Sequence, residues 1–252
     1  MDQVLSIVNG ANQRGGRMLS VVDLLEAGTF SLAQAAWLVA RVAEGSSWLV
    51  GARPGGAGKT TVMAALLAMV PDGQRVRLTL ARGGWREALP GETVVSYELS
   101  PGSYDAYIWG PEVRRLTELG GSGCRIVANL HADTLEEARE QVVGACGAAE
   151  EGFRAFGLFL SLRLAGSRLE PRPMLEKIHR AQGGRWQVCE GEPPARGRVE
   201  GDIAAFLESC RERGLYSVER VRAAWLAWRA GGPLPRARSG SEPRARSRRL
   251  CS

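Results

Sequence analysis

Residues 51–61 read GARPGGAGKTT. Small residues followed by Gly-Lys-Thr are the ingredients of a loop that wraps phosphate. Glycines let successive backbone N–H groups turn inward, the lysine ammonium reaches the β and γ phosphates, and the threonine hydroxyl ligates magnesium. Here Gly55, Gly56, Ala57 and Gly58 form the cradle, Lys59 supplies the charge and Thr60 the metal ligand, with Thr61 beside it. Lysine occurs only twice in the chain, at 59 and 177, against 31 arginines. A compact ammonium fits between phosphates in a way a guanidinium does not. The pattern G-x-x-x-x-G-K-[ST] wants its first glycine at 53, where Arg53 stands before Pro54. A residue before proline is pushed towards extended backbone, so Gly51 is expected to make the opening turn of a loop two residues longer. The alternative is a glycine-rich strand-to-helix turn that holds no ligand.

Two further side chains sit where strands are expected to end. Glu112 follows DAYIWG (105–110), and His131 lies near the end of RIVANLHA (125–132). A carboxylate at a strand end beside a phosphate loop can hold the attacking water or the magnesium shell. The plainer reading of Glu112 is an acid in the first turn of a helix, where the dipole favours it. The plainer reading of His131 is a structural histidine.

The elements that must position these residues alternate. Ser31-Leu-Ala-Gln34 reads as a capping box that opens a helix with Ala35, Leu38, Val39 and Val42 on one face. SSWLVGA (46–52) is a buried strand running into the loop, and a helix with Val62, Ala65, Leu66 and Met69 on one face follows from Gly58. RVRLTLA (75–81) alternates as a strand, PEVRRLTEL (111–119) is a helix with proline at its start, and Thr134 caps the helix of LEEAREQVVGACG. FGLFLSLRL, PMLEKIH and GRWQVCE read as three late strands with antiparallel pairing. Two helices close the fold, one from about Val199 and one capped by Ser217. Strands alternating with helices predict an α/β fold with a mostly parallel sheet.

With 252 residues and 44% hydrophobic content the chain can bury a core without disulfides or metal. Cysteines 124, 146, 189, 210 and 251 show no metal-ligand spacing and are expected to be reduced thiols. No secretory signal and no membrane-spanning run is expected, which points to a cytoplasmic protein. The net charge of +6 is mostly a tail property, because residues 233–252 carry six arginines and one glutamate. That tail is expected to be disordered and passive. Contact with nucleic acid or anionic lipid is the weaker alternative, since no aromatics are interleaved with the arginines.

The chain resembles the ATPases of type II and type IV secretion and type IV pilus assembly over about residues 19–185. LVGARPGGAGKTTVMAALLAMVP is similar to their Walker A strand, loop and helix, and LSVVDLLEAGTFSLAQAAWLVARVAEG to the stretch before it. IWGPEVR resembles their Walker B segment, and CRIVANLHADTLEEA their histidine box. The resemblance implies a P-loop NTPase with a RecA-like core over 19–190, preceded by a segment at 1–18 and followed by a helical segment at 191–232 and the tail at 233–252. It implies ATP and Mg²⁺ as ligands, Glu112 and His131 in catalysis with Arg114 beside Glu112, a homo-oligomeric ring, and an inner-membrane platform protein as partner. The sequence departs from the family in four places. Pro111 adds a residue between Gly110 and Glu112, the acidic pair expected near 80–82 is Leu-Ala-Arg, an earlier histidine of the histidine box is absent from LGGSGCRIV, and the family's large N-terminal domain is not expected here. The reading is therefore a slow ATPase of a secretion or pilus system, or else a degenerate nucleotide-binding regulatory subunit with little turnover.

Overall fold

The computed structural model describes residues 2–12, 16–53, 55–167, 170–189 and 197–233. Pro54 and the arginine-rich stretch from 234 onward lie outside the described residues. Three helices, α1 (Gln3–Gly10), α2 (Val21–Glu26) and α3 (Leu32–Ala43), precede β1 (Trp48–Gly51). Then come α4 (Lys59–Leu67), β2 (Val76–Leu78), β3 (Thr93–Val95), β4 (Glu98–Leu99), β5 (Tyr107–Ile108), α5 (Pro111–Gly121) and β6 (Arg125–Leu130). Next are α6 (Leu135–Arg139), a π-helical stretch Glu140–Ala145, α7 (Glu150–Arg154), β7 (Leu158–Ser167), β8 (Glu170–Gln182) and β9 (Arg185–Cys189). Helices α8 (Arg198–Glu212) and α9 (Val218–Arg229) complete the described chain.

The strands form one mixed sheet in the order β2-β3-β6-β1-β7-β8-β9. From β2 to β7 every neighbouring pair is parallel, and β7–β8 and β8–β9 are antiparallel. The short β4 pairs with β5 and touches β6 where Leu99 faces Leu130. Alternation along the central strands feeds two cores, one on each face. Trp48, Val50, Val127, Leu158 and Leu160 join the cluster that contains α3, α4, α8 and α9. Leu49, Ile126, Ala128, Leu130 and Phe159 join the cluster built with α5 and the α6–α7 region. Among the described residues no helix is long and apolar enough to cross a membrane.

The expected capping box at α3 is present. Ser31 Oγ accepts from Gln34 N at 3.1 Å, and Gln34 Oε1 accepts from Ser31 N at 2.9 Å. The strand expected over 105–110 shrinks to Tyr107–Ile108. Helices α1 and α2 and strands β3 and β4 have no counterpart in the sequence expectations. β3 and β4 are three and two residues long, too short for any period to register.

From Val62 onward helix α4 is apolar all round, because both its sides are covered: Val62 to Leu67 are all buried. Its C-terminal carbonyls are capped from α9. Arg222 Nη1 donates to Ala68 O at 2.9 Å and Val70 O at 2.8 Å, and Trp225 Nε1 donates to Met69 O at 2.7 Å. A cation at a helix C-terminus also suits the dipole. The N-terminal end of α4, where the loop enters, is thereby fixed in space by a helix held at its other end.

Gly51 does not make a left-handed turn, as expected of it. It is the last residue of β1, paired with Leu130 on one side and Ser161 on the other, and its φ is not positive. Glycine is needed there for room, since a Cβ would lie 2.5 Å from the Ala132 carbonyl oxygen and 2.7 Å from the Phe159 ring. Gly51→Ala is therefore expected to destabilise the protein by about 1–3 kcal/mol, as overpacking does. A denaturant midpoint equal to the parent's would contradict this.

Candidate functional site

The loop between β1 and α4 has two left-handed glycines, Gly56 at φ +82° and Gly58 at φ +84°. Gly58 is the N-cap of α4 and supplies no side-chain cap. Only glycine adopts such backbone at no steric cost, and the fold thus leaves the first N–H groups of α4 at the loop. A Cβ on Gly58 would also come within 3.1 Å of Pro173 on β8. Thr60 and Thr61 are half-buried in the first turn of α4, and Ala57 is buried.

Lys59 opens α4 and is buried, 8% exposed. Its Nζ donates to Ala52 O at 3.2 Å and lies 3.4 Å from His131 Nδ1. The carboxylate facing it is Glu98, whose Oε1 is 3.8 Å from Lys59 Nζ and 3.8 Å from His131 Nε2. Lys59, Glu98 and His131 thus come together although they sit far apart in sequence. The sheet order explains it. β6 lies between β1 and β3, so the C-terminal ends of three parallel strands bring the loop, His131 and Glu98 at the start of β4 side by side.

Glu98 is 5% exposed, and its backbone is held firmly. Tyr97 N donates to Ala106 O at 3.0 Å, and Asn129 Nδ2 donates to Tyr97 O at 2.9 Å. Ser96 Oγ donates to Glu98 O at 3.1 Å. Glu98 Oε1 is buried with no hydrogen-bond partner in the described structure. Burial pushes the Glu98 carboxyl above its ordinary value, while the charges of Lys59 and His131 pull it back only in part. His131 is half exposed, and its Nδ1 also faces Arg53 O at 3.2 Å. One ring nitrogen cannot serve both neighbours: with a proton it donates to Arg53 O, without one it accepts from Lys59.

Glu112 goes elsewhere. It lies in the first turn of α5 and pairs with Arg86, both side chains 40% exposed. That is the helix-turn position of the plainer sequence reading. Arg114 donates to Cys146 O at 3.3 Å. Sequence reasoning missed Glu98. The available signal was a short apolar run, TVV at 93–95, followed three residues later by an acid.

Phosphate, magnesium or both would meet a fitting set of groups here. The loop offers left-handed glycines at a helix start, a buried ammonium, a threonine hydroxyl, and a buried carboxylate oxygen whose hydrogen-bonding capacity is unused. Among the described residues no group of three or more His, Cys, Asp and Glu could cage a metal. Magnesium is commonly held by one or two carboxylates plus the phosphates it accompanies.

No protein-family profile matches the chain, and no curated protein matches it. Among solved structures it is similar to a VirB11 ATPase from the type IV secretion system of Brucella suis, determined in complex with sulphate. The TM-score is 0.42 with 16% sequence identity, over 63% of this chain and 54% of that one. The match thus spans about half of the neighbour's length.

The raised Glu98 carboxyl has a consequence for stability. An acid that binds its proton more tightly when folded costs stability once it must ionise, so the cost is absent well below its unfolded value of 4.5 and grows as pH rises past it. Glu98→Gln removes that cost. The variant is expected to melt higher than the parent at pH 7, with the gap closing as pH falls towards 4.5. A variant that melts lower at pH 7 would show that Lys59 needs the ionised carboxylate.

Proposed function

We propose that this chain binds Mg²⁺·ATP at the 51–61 loop and hydrolyses it slowly, as a subunit of a secretion- or pilus-type assembly. The observation that carries the reading is the meeting of buried Lys59, buried Glu98 and His131 at the loop's end of three parallel strands.

Phosphoryl transfer asks a protein for positioning and charge neutralisation more than for covalent chemistry. Lys59 supplies a point charge for the β and γ phosphates, and the left-handed glycines with the first N–H groups of α4 supply the cradle. Thr60 would hold magnesium, which neutralises charge developing on the phosphates when bound. Glu98 takes the role that the sequence suggested for Glu112. A buried carboxylate with an unpartnered oxygen can orient a water for attack or hold the magnesium shell. A carboxyl pushed upward by burial is also better able to accept a proton at neutral pH than an ordinary exposed one. His131 would contact a γ-phosphate oxygen and, through Arg53 O and Lys59, register whether it is there.

The loop's outer side is open, with Gly55 exposed and Arg53 62% exposed. A neighbouring subunit in a homo-oligomeric ring would cover it, and an inner-membrane platform protein would receive the motion. In this reading the core spans residues 19–190, with residues 191–232 as an accessory segment.

Titration with a fluorescent ATP analogue and steady-state turnover test the reading together. Lys59→Ala is expected to abolish binding. Glu98→Gln is expected to keep ATP bound and lose most turnover, by on the order of 100-fold or more. Glu112→Gln is expected to behave like the parent. Turnover lost with Glu112→Gln and kept with Glu98→Gln would return the catalytic role to Glu112. Binding without any Mg²⁺-dependent turnover in the parent would favour the regulatory subunit over the ATPase.

A further inference from the structure

Arg53 stands where a phosphate loop ordinarily has its first glycine, and the structure shows how the chain accommodates it. The peptide unit joining Ala52 and Arg53 is gripped from both sides. Its carbonyl, Ala52 O, accepts from Lys59 Nζ at 3.2 Å, and its amide, Arg53 N, donates to Asp133 Oδ1 at 2.7 Å. In a trans peptide the C=O and N–H point in opposite directions, so fixing one fixes the aim of the other. The Asp133 carboxylate thereby sets where the Ala52 carbonyl presents itself to the lysine ammonium.

The arginine side chain is held as well, with Arg53 Nε 4.0 Å from Asp133 Oδ2. Arg53 Nη2 donates to Glu137 Oε1 at 2.5 Å, which keeps the guanidinium on α6 and out of the cradle. Asp133 and Glu137 are tied to each other and to the chain around them through backbone amides. Asp133 N donates to Glu137 Oε2 at 2.9 Å, and Glu137 N donates to Thr134 Oγ1 at 3.2 Å. The π-helical stretch joins in, with Gln141 Nε2 donating to His131 O at 2.7 Å.

We infer that Asp133 and Glu137 are positioning residues for the phosphate loop, acting on Lys59 through the Ala52–Arg53 peptide and restraining the arginine that replaces glycine. The inference rests on the nucleotide reading of the loop. It assigns the segment after β6 a task beyond carrying His131. This segment holds the loop's first peptide in the orientation that keeps Lys59 in place.

The test is a set of Mg²⁺·ATP and inorganic triphosphate titrations on the full chain. Asp133→Ala is expected to weaken both ligands about tenfold, as loss of a charge-assisted hydrogen bond does, while Asp133→Asn, which keeps an acceptor oxygen, retains most of the affinity. Glu137→Gln is expected to weaken binding about threefold, because its pair with Arg53 is exposed and screened. In an Arg53→Gly background the Glu137→Gln cost is expected to disappear, since no guanidinium remains to restrain. Asp133 and Glu137 are both partly exposed, so the ligand-free melting temperature should change little, which separates positioning from general stability. Parent-like affinity of Asp133→Ala, or an equal Glu137→Gln cost with and without Arg53, overturns this inference alone. A parent that binds neither ligand overturns the nucleotide reading and this inference together.

Discussion

A buried ammonium and a buried carboxylate both lose hydration that their mutual attraction restores only in part, and the arrangement around Lys59 and Glu98 follows from that constraint. Lys59 is 8% exposed and Glu98 5%, and the two lie 3.8 Å apart. The pair is loose. Glu98 Oε1 makes no hydrogen bond, and Lys59 also leans on the Ala52 carbonyl. Two buried ions at such a distance recover only part of their lost hydration, which leaves Glu98 with capacity for another partner. A phosphate group with its magnesium is a partner that could satisfy the lysine and the carboxylate at once.

The rest of the fold can be understood as the scaffold this pair needs. β6 threads between β1 and β3, so residues near 51, 98 and 131 emerge at one end of a parallel array. β6 is anchored at its start as well. Buried Arg125 donates to Gln74 Oε1 at 2.5 Å and to Val42 O at 2.8 Å, and burial without a facing carboxylate brings it down to about 10. Helix α4 is gripped at its far end by Arg222 and Trp225 of α9, so Lys59 starts from a fixed base. Asp133 then fixes the loop's first peptide from the side opposite the lysine.

Much of this was legible in the sequence where long periods or special residues mark it. The capping box at Ser31, the strand–loop–helix around Lys59, the helix beginning at Pro111 and the antiparallel late strands all carry strong local signals, and each is present. Lys59 and His131 stand out in the sequence because glycines and a strand end frame them. Glu98 does not, because β3 and β4 are too short to show a period and the acid follows a serine and a tyrosine rather than a glycine. Its nearness to Lys59 appears only when the sheet order places β6 beside β1. Glu112 is the converse case: its local motif is strong, while its strand is the two-residue β5 and its helix directs it to Arg86. Arg53 read as a defect in one dimension. In three it is a residue with two carboxylates arranged around it.

The most direct measurement is a crystal structure of the protein with magnesium and a non-hydrolysable ATP analogue. The account predicts terminal phosphate oxygens within about 3 Å of Lys59 Nζ, magnesium at Thr60, and Glu98 facing the γ-phosphate directly or through one water. Phosphates bound away from the loop, or a Lys59–Glu98 pair left undisturbed beside an empty cradle at saturating analogue, would contradict it.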